Sequence, residues 1–165
     1  MTNIDTELTT EPVNEIGDAD ITRQPTRRLA RETALRAAYV LDIRKCSIDE
    51  ALRDPLVNNN EKTPSYTLRL LTFSDTYRDY IDDLIRSKVE RWEFHRIALI
   101  DRLVIRLSLV ELLYFTDVPP KVTINEAIEV AKKYSTSKSG RFVNGILDSV
   151  YSDLTNGTIQ INTQT

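Results

Sequence analysis

One long apolar segment, residues 97–115, constrains the fold of this chain more than any other feature. Fourteen of its 19 residues are apolar, and they fall on almost every face of a helix. Such a segment either spans a membrane or forms the centre of a helical bundle. Asp101, Arg102, Arg106 and Glu111 interrupt it, and each charge near the middle of a bilayer would cost about 2.5–3.5 kcal/mol. The segment therefore predicts a central buried helix that starts near Asp101, with a shorter helix before it.

Apolar residues also recur at three- and four-residue spacing on both sides of this segment, which is typical of amphipathic helices. The predicted flanking helices cover about residues 27–44, 48–53, 66–88, 124–134 and 140–154. No strand pattern and no internal repeat is found. The sequence therefore predicts a single all-α domain of about six or seven helices.

Capping residues mark where most of these helices begin. The predicted caps are Thr26, Ser65 and Ser139, and the predicted capping boxes are Ser47-x-x-Glu50 and Thr123-x-x-Glu126. Gly145 lies inside the last predicted helix, where glycine costs about 1 kcal/mol relative to alanine. A close contact with another helix would explain it. Trp92 and His95 are expected at a helix junction, with the tryptophan buried and the histidine hydrogen-bonded.

The counts of chemically active residues argue against catalysis. The chain has one cysteine, one histidine and four scattered glycines. Cys46 alone indicates a reducing, cytoplasmic setting rather than a disulfide framework. A zinc site needs about four ligands, and a phosphate loop needs clustered glycines. We therefore expect no metal, no cofactor and no enzymatic activity.

The net charge of −3 hides an uneven distribution. Residues 1–22 hold six acidic side chains and no lysine or arginine, so the other 19 acidic and 22 basic side chains give +3. We expect residues 1–24 to be a disordered acidic tail, residues 25–154 to fold, and residues 155–165 to be a flexible polar tail.

A basic cluster follows the acidic tail. Six arginines lie between residues 23 and 44, against Glu32 and Asp42. They are Arg23, Arg27, Arg28, Arg31, Arg36 and Arg44. Such a cluster is a candidate surface for nucleic acid, although on composition alone solvated charges at one end of a helix are the more ordinary interpretation.

Four motifs, in order over residues 27–151, resemble one family. Residues 27–39 read RRLARETALRAAY, similar to the RRxARE…AxxxxY opening of the bacterial transcription antitermination factor NusB family. Trp92 and the segment DRLVIRLSLVEL, residues 101–112, resemble its W…DRaiLR…EL segment. VPPKVTINEAIE, residues 118–129, and RFVNGILD, residues 141–148, resemble VPxKVxINEAVE and KFVNGVLD.

The resemblance implies two packed helical subdomains without catalytic activity. It implies binding to the boxA element of nascent ribosomal RNA together with NusE, a small-subunit ribosomal protein. It also implies membership of a complex on RNA polymerase that suppresses premature termination. No membrane partner is expected.

By the same resemblance, Arg27, Arg28 and Arg31 match the arginine-rich RNA-binding motif of the family. Guanidinium groups suit bidentate contacts with phosphate and stack on unpaired bases. Arginines in the first turn of a helix face the positive end of its dipole, a cost that a bound phosphate would reverse. Tyr39 lies two turns further on and is expected to stack on a base, to cover the partner, or to sit at the margin of the core.

Three further positions are weighed by the resemblance. Lys121 and Arg141 could extend the basic surface as RNA contacts, and the alternative for both is a solvated charge. Asp101 is expected to lie at the NusE surface, and the alternative is a structural ion pair.

Two other functions remain open. The same helical domain resembles the N-terminal RNA-binding domain of some bacterial rRNA cytosine methyltransferases, so the chain could be an RNA-binding module of that type without the catalytic domain. The chain could also be a protein-interaction scaffold or a homodimer, since dimers occur in the family and hide the arginine surface. The acidic tail could compete with RNA for the arginines or be inert.

Overall fold

The structure, a computed structural model, describes residues 26–90 and 93–162, and this part of the chain holds seven α-helices and no strand. The helices are α1 (Arg27–Arg44), α2 (Ile48–Arg53), α3 (Ser65–Thr76), α4 (Arg78–Lys88), α5 (Leu99–Tyr114), α6 (Pro120–Tyr134) and α7 (Ser139–Thr155). A short 3-10 helix, Phe94–Arg96, lies between α4 and α5. The all-α prediction is confirmed.

Helix α5 is the centre of the bundle, as the apolar segment predicts. It packs against α1, α3, α4, α6 and α7. Its buried apolar residues are Leu103, Val104, Ile105, Leu107, Leu109, Val110 and Leu113. It begins at Leu99, two residues before the predicted start, and the shorter helix before it is the 3-10 turn. Within the described ranges, no helix is both long enough and apolar enough to cross a bilayer.

The cap predicted at Ser65 is wrong, since Ser65 is the first residue of α3, Pro64 precedes it and no side chain caps that helix. The predicted caps before α1 and α2 agree with the structure. The hydroxyl of Thr26 accepts a hydrogen bond from the backbone N–H of Leu29 at 3.3 Å. In the capping box before α2, Ser47 Oγ accepts from the Glu50 N–H at 3.3 Å, and Glu50 Oε2 accepts from the Ser47 N–H at 2.8 Å. Both caps satisfy N–H groups that have no partner within the helix.

The single long helix predicted over residues 66–88 is wrong, because the chain breaks between α3 and α4 at Tyr77. Its backbone, with φ −105° and ψ 19°, leaves the helical region. The ring of Tyr77 is buried and stacks on Tyr114 of α5 with 4.3 Å between centroids. The break lets both α3 and α4 pack against α5. The three- and four-residue spacing of apolar residues continues across the break, so the spacing alone does not reveal it.

The capping box predicted at the start of α6 is also wrong. The helix begins at Pro120. Proline suits this position, because its fixed φ is close to the helical value and the N–H groups of the first turn have no partner within the helix. Thr123 instead donates its hydroxyl to Glu111 at 2.6 Å. Glu126 accepts from Arg28. Both residues are used for contacts between helices rather than for a local cap.

Two expectations about α7 are corrected. Ser139 is its first residue and not its cap, and the Ser139 hydroxyl donates to Asp101 at 3.0 Å. A Cβ on Gly145 would meet nothing within 4 Å, so no close helix contact explains that glycine. The close approach is at Gly140, where a Cβ would lie 3.1 Å from Cε of Lys132 on α6.

Some expectations fall outside the described residues: the disordered acidic tail over 1–24, the residue Pro25 before α1, and the buried Trp92. His95 is exposed in the 3-10 helix, with its ring edge-on to Phe94 at 5.6 Å. Flexibility of residues 155–165 stays a prediction. In the described part of that segment, the carbonyls of Gln160 and Asn162 accept hydrogen bonds from Tyr80 and Tyr114, at 2.6 and 2.8 Å.

A buried ion pair joins α4 to α5. Arg106 Nε donates to Asp82 Oδ1 at 2.9 Å, and Arg106 Nη2 donates to Asp82 Oδ2 at 3.0 Å. Both side chains are almost fully buried. Because a buried charge without its partner is costly, this two-point contact fixes α4 against the central helix.

We expect Asp82→Asn to lower the free energy of unfolding by about 3 kcal/mol or more, since it leaves the Arg106 charge buried without a counter-charge. The neighbouring Asp83 forms only an exposed pair with Arg86 in the next turn. Asp83→Asn should therefore cost less than about 1 kcal/mol. Urea unfolding of both variants measures the difference, and equal losses would contradict a structural role for the buried pair.

Candidate nucleic-acid interface

The N-terminal half of α1 is held in place by one buried carboxylate, that of Glu111 on α5. Arg31 donates to it twice, from Nε at 2.8 Å and from Nη2 at 3.1 Å. Thr123 of α6 donates its hydroxyl at 2.6 Å, and Tyr66 of α3 donates its phenol hydroxyl. Glu111 is only 2% exposed. Its two oxygens thus bind α1, α3 and α6 to the central helix.

Arg31 therefore lies mostly inside the protein. Its side chain is 11% exposed, and its guanidinium also lies 3.5 Å from a carboxylate oxygen of Glu126. The hydrogen bonds and charge of Glu111 outweigh the cost of burial and raise the pKa of Arg31 further. Burial, followed by the hydrogen bond to Glu111, raises the pKa of Tyr66 well above its usual value. Arg31 is placed to support α1 rather than to meet a ligand directly.

Arg27 and Arg28 stand in the first turn of α1 with about half of each side chain exposed. Arg28 makes a bidentate contact with Glu126 of α6, from Nε at 2.8 Å and from Nη2 at 2.6 Å. Arg27 Nη2 donates to Asp117 Oδ2 at 2.8 Å. The hydrogen bond from Arg28 lowers the pKa of Glu126. Each of the motif arginines thus already holds a carboxylate in the free protein.

Sequence reasoning missed a fourth arginine at this surface, Arg69 of α3. Its Nη1 lies 3.4 Å from Oδ1 of Asp117, the carboxylate that Arg27 also contacts. Its guanidinium lies 3.9 Å from the ring centre of Phe115. Nothing in the local sequence signals this position, because the shared contact, Asp117, is 48 residues away along the chain.

The other predicted contact residues lie at two ends of α6. Lys121, in its first turn, is exposed, and the structure shows no ionic partner for it in the part it describes. Arg141 is exposed in the first turn of α7, beyond the C-terminal end of α6. The rise of 1.5 Å per residue puts about 20 Å of helix between these two ends. Tyr39 is 37% exposed, three helical turns beyond Arg28 on α1.

Asp101 lies buried at the start of α5, at a cleft of about 550 Å³. Its Oδ2 accepts the hydrogen bond from Ser139, while its Oδ1 has no hydrogen-bond partner in the described structure. The exposed ring of Phe142 also lines this cleft. Asp101 forms no ion pair within the described residues, since no described lysine, arginine or histidine lies within ion-pair distance of it. The alternative prediction of a structural ion pair is therefore not met there. The contact of Asp101 with NusE stays a prediction.

The arrangement has the chemistry of an anion-binding surface. Guanidinium groups present planar donors to carboxylates, and a phosphate offers acceptors in similar geometry. Over residues 26–90 and 93–162, no three histidine, cysteine, aspartate or glutamate side chains are grouped in a way that could hold a metal ion.

The model of the NusB family matches residues 28–152, three quarters of the chain. The chain belongs to the NusB family. It is 38% identical over 132 residues to the transcription antitermination protein NusB of Chloroherpeton thalassium, covering 78% of this chain and 63% of that one. It is thus matched to less than two thirds of that relative's length. It is 37% identical over 128 residues to NusB of Bacillus subtilis, covering 78% and 96% of the two chains.

Solved structures of the family share the fold. NusB of T. maritima superposes with a TM-score of 0.71 at 34% identity, covering 79% of this chain and 93% of that chain. A chain of the crystal structure of the antitermination factors NusB and NusE in complex with dsRNA gives a TM-score of 0.68 at 26% identity, with coverages of 76% and 96%. These matches confirm the family resemblance drawn from the four motifs.

The burial of the motif arginines predicts that they differ in their effect on stability. Arg31→Gln should lower the free energy of unfolding by about 3–5 kcal/mol, because it leaves Glu111 buried without its counter-charge. Arg27→Gln removes an exposed ion pair and a cation–π contact at an exposed site, and should cost about 1 kcal/mol or less. Urea unfolding followed by circular dichroism compares them. Equal losses would show that the Arg31–Glu111 contact does not hold α1.

Proposed function

We propose that the protein is an RNA-binding transcription antitermination factor. It binds the boxA element of nascent ribosomal RNA together with NusE, suppresses premature termination by RNA polymerase, and performs no chemical step itself. The observation that carries this proposal is the exposed first turn of α1, where Arg27 and Arg28 meet solvent on a fold of the NusB family. Relatives named as antitermination proteins, and a neighbour solved with NusE and dsRNA, support it.

In the proposed mechanism, RNA phosphates replace carboxylates as ligands of Arg27 and Arg28. The first turn of α1 contains no acidic residue of its own, so the positive end of the helix dipole adds to the attraction of an anion that replaces these carboxylates. Arg31 contributes by anchoring this turn to Glu111. Lys121 adds a further exposed charge at the same end of α6.

The remaining predicted residues serve the other end of the proposed interface. Tyr39 stacks on an unpaired base or covers the partner. Arg141 contacts phosphate from the start of α7. Asp101 contacts NusE across the adjoining cleft, where its unpartnered Oδ1 is available to accept a hydrogen bond.

The test is binding of a boxA RNA and of a scrambled RNA of equal length, each with and without NusE, over a range of salt concentrations. We expect preference for boxA, tighter binding with NusE, and an affinity that falls linearly with salt on logarithmic axes. Equal affinities for both RNAs under both conditions would overturn the proposal. Light scattering in the same series separates a homodimer, which would dissociate when RNA binds.

Substituting Glu126, whose carboxylate pairs with Arg28, tests whether an RNA phosphate takes the place of that carboxylate. We expect Glu126→Gln to tighten RNA binding up to about fivefold, since Arg28 is half exposed and an ion pair that solvent reaches is worth up to about 1 kcal/mol. Glu129→Gln, one turn further along α6, is the matched control. It removes the same charge, but its partner is Lys132. A Glu126 variant that binds no better than the Glu129 control would argue against phosphate taking the place of Glu126.

A further inference from the structure

Two arginines from different helices converge on one exposed carboxylate at the edge of the α1 surface. Arg27 of α1 contacts Oδ2 of Asp117 at 2.8 Å, and Arg69 of α3 approaches Oδ1 of the same residue at 3.4 Å. Asp117 lies in the connection between α5 and α6, and all three side chains are about half exposed. The carboxylate therefore bridges two guanidinium groups where solvent has access.

We propose that Arg27 and Arg69 form a phosphate subsite for RNA, which Asp117 occupies in the free protein. The inference rests on the proposed function and extends it, because neither the sequence motif nor its spacing includes Arg69. A phosphodiester has two unesterified oxygens that share one negative charge. It can therefore bridge the two guanidinium groups as the two oxygens of Asp117 do.

Arg27 and Arg69 each pack against one of two aromatic rings that contact each other. The guanidinium of Arg27 lies 5.3 Å from the ring centre of Tyr66, and that of Arg69 lies 3.9 Å from that of Phe115. The two rings pack edge to face with 5.2 Å between centroids. Cation–π contact with a rigid aromatic base keeps each guanidinium near its place, so less conformational entropy is lost when a ligand binds.

Asp117 is a replaceable ligand, in contrast with Glu111. Glu111 is buried and bound by three groups, so its removal leaves unpaired charge inside the protein. Asp117 is exposed, and exposed ion pairs contribute little to stability. A phosphate can take its place while Asp117 turns into solvent.

The first test is Arg69→Gln against the matched control Arg78→Gln. Arg78 of α4 has 40% of its side chain exposed against 41% for Arg69, and it likewise pairs with an exposed carboxylate, that of Asp75. We expect Arg69→Gln to weaken binding of boxA RNA and of scrambled RNA alike by about three- to tenfold. The slope of affinity against salt should fall by about one, because a phosphate contact carries no sequence information. Arg78→Gln should leave both unchanged.

The second test removes the bridging carboxylate. Asp117→Asn should tighten binding of both RNAs relative to Asp75→Asn, which removes an equal charge beside Arg78. The gain should shrink when Arg69→Gln is also present, because only one guanidinium is then released. Unchanged thermal unfolding midpoints confirm that each variant folds.

The outcomes separate the two proposals. If the unsubstituted protein prefers boxA RNA and Arg69→Gln binds like Arg78→Gln, the subsite is wrong and the proposed function stands. Weaker binding by Asp117→Asn than by Asp75→Asn would also overturn the subsite. If the unsubstituted protein binds both RNAs equally but Arg69→Gln weakens both, the subsite stands and boxA recognition fails. Failure of the unsubstituted protein to bind either RNA overturns both.

Discussion

The buried carboxylate of Glu111 determines where the rest of the arginine surface lies. Apolar helix faces tolerate many relative positions, since hydrophobic contact has no direction. A buried carboxylate is different, because it is costly unless donors meet both oxygens. Arg31, Tyr66 and Thr123 supply those donors from three helices. We infer that satisfying Glu111 sets the position of α1 against α3, α5 and α6, and with it the place of Arg27 and Arg28.

The parts of the fold that follow from local signals could be predicted from the sequence. Thr26 and the Ser47–Glu50 box lie at the predicted helix starts because a cap needs only residues within one turn. The break at Tyr77 could not be predicted in this way. It depends on Tyr114 of α5, a ring 37 residues away, and the apolar period of α3 continues into α4. Thr123 likewise matches a local pattern, but its hydroxyl serves Glu111 instead.

The candidate site, like the fold, could be predicted from the sequence only in part. A motif of consecutive arginines marks where a basic surface begins, but it does not separate Arg31, which is buried, from Arg27 and Arg28, which are half exposed. That separation requires Glu111 and Glu126 in their folded positions. Arg69 has no motif, and it joins the surface only because α3 packs beside α1 and Asp117 lies between them.

The number of arginines at this surface does not equal the number of charges free to bind RNA, because carboxylates already pair with them. In the free protein Arg27, Arg28 and Arg31 are matched by three carboxylates, and the excess positive charge of this surface comes from Arg69 and Lys121. RNA therefore does not meet three free charges; it exchanges with ligands already present. Each exchange gains the difference between two ionic contacts, which is small for a single exposed arginine. Binding on this surface then depends on several guanidinium groups held at fixed spacing, because a flexible RNA strand matches that spacing better than separate small anions can.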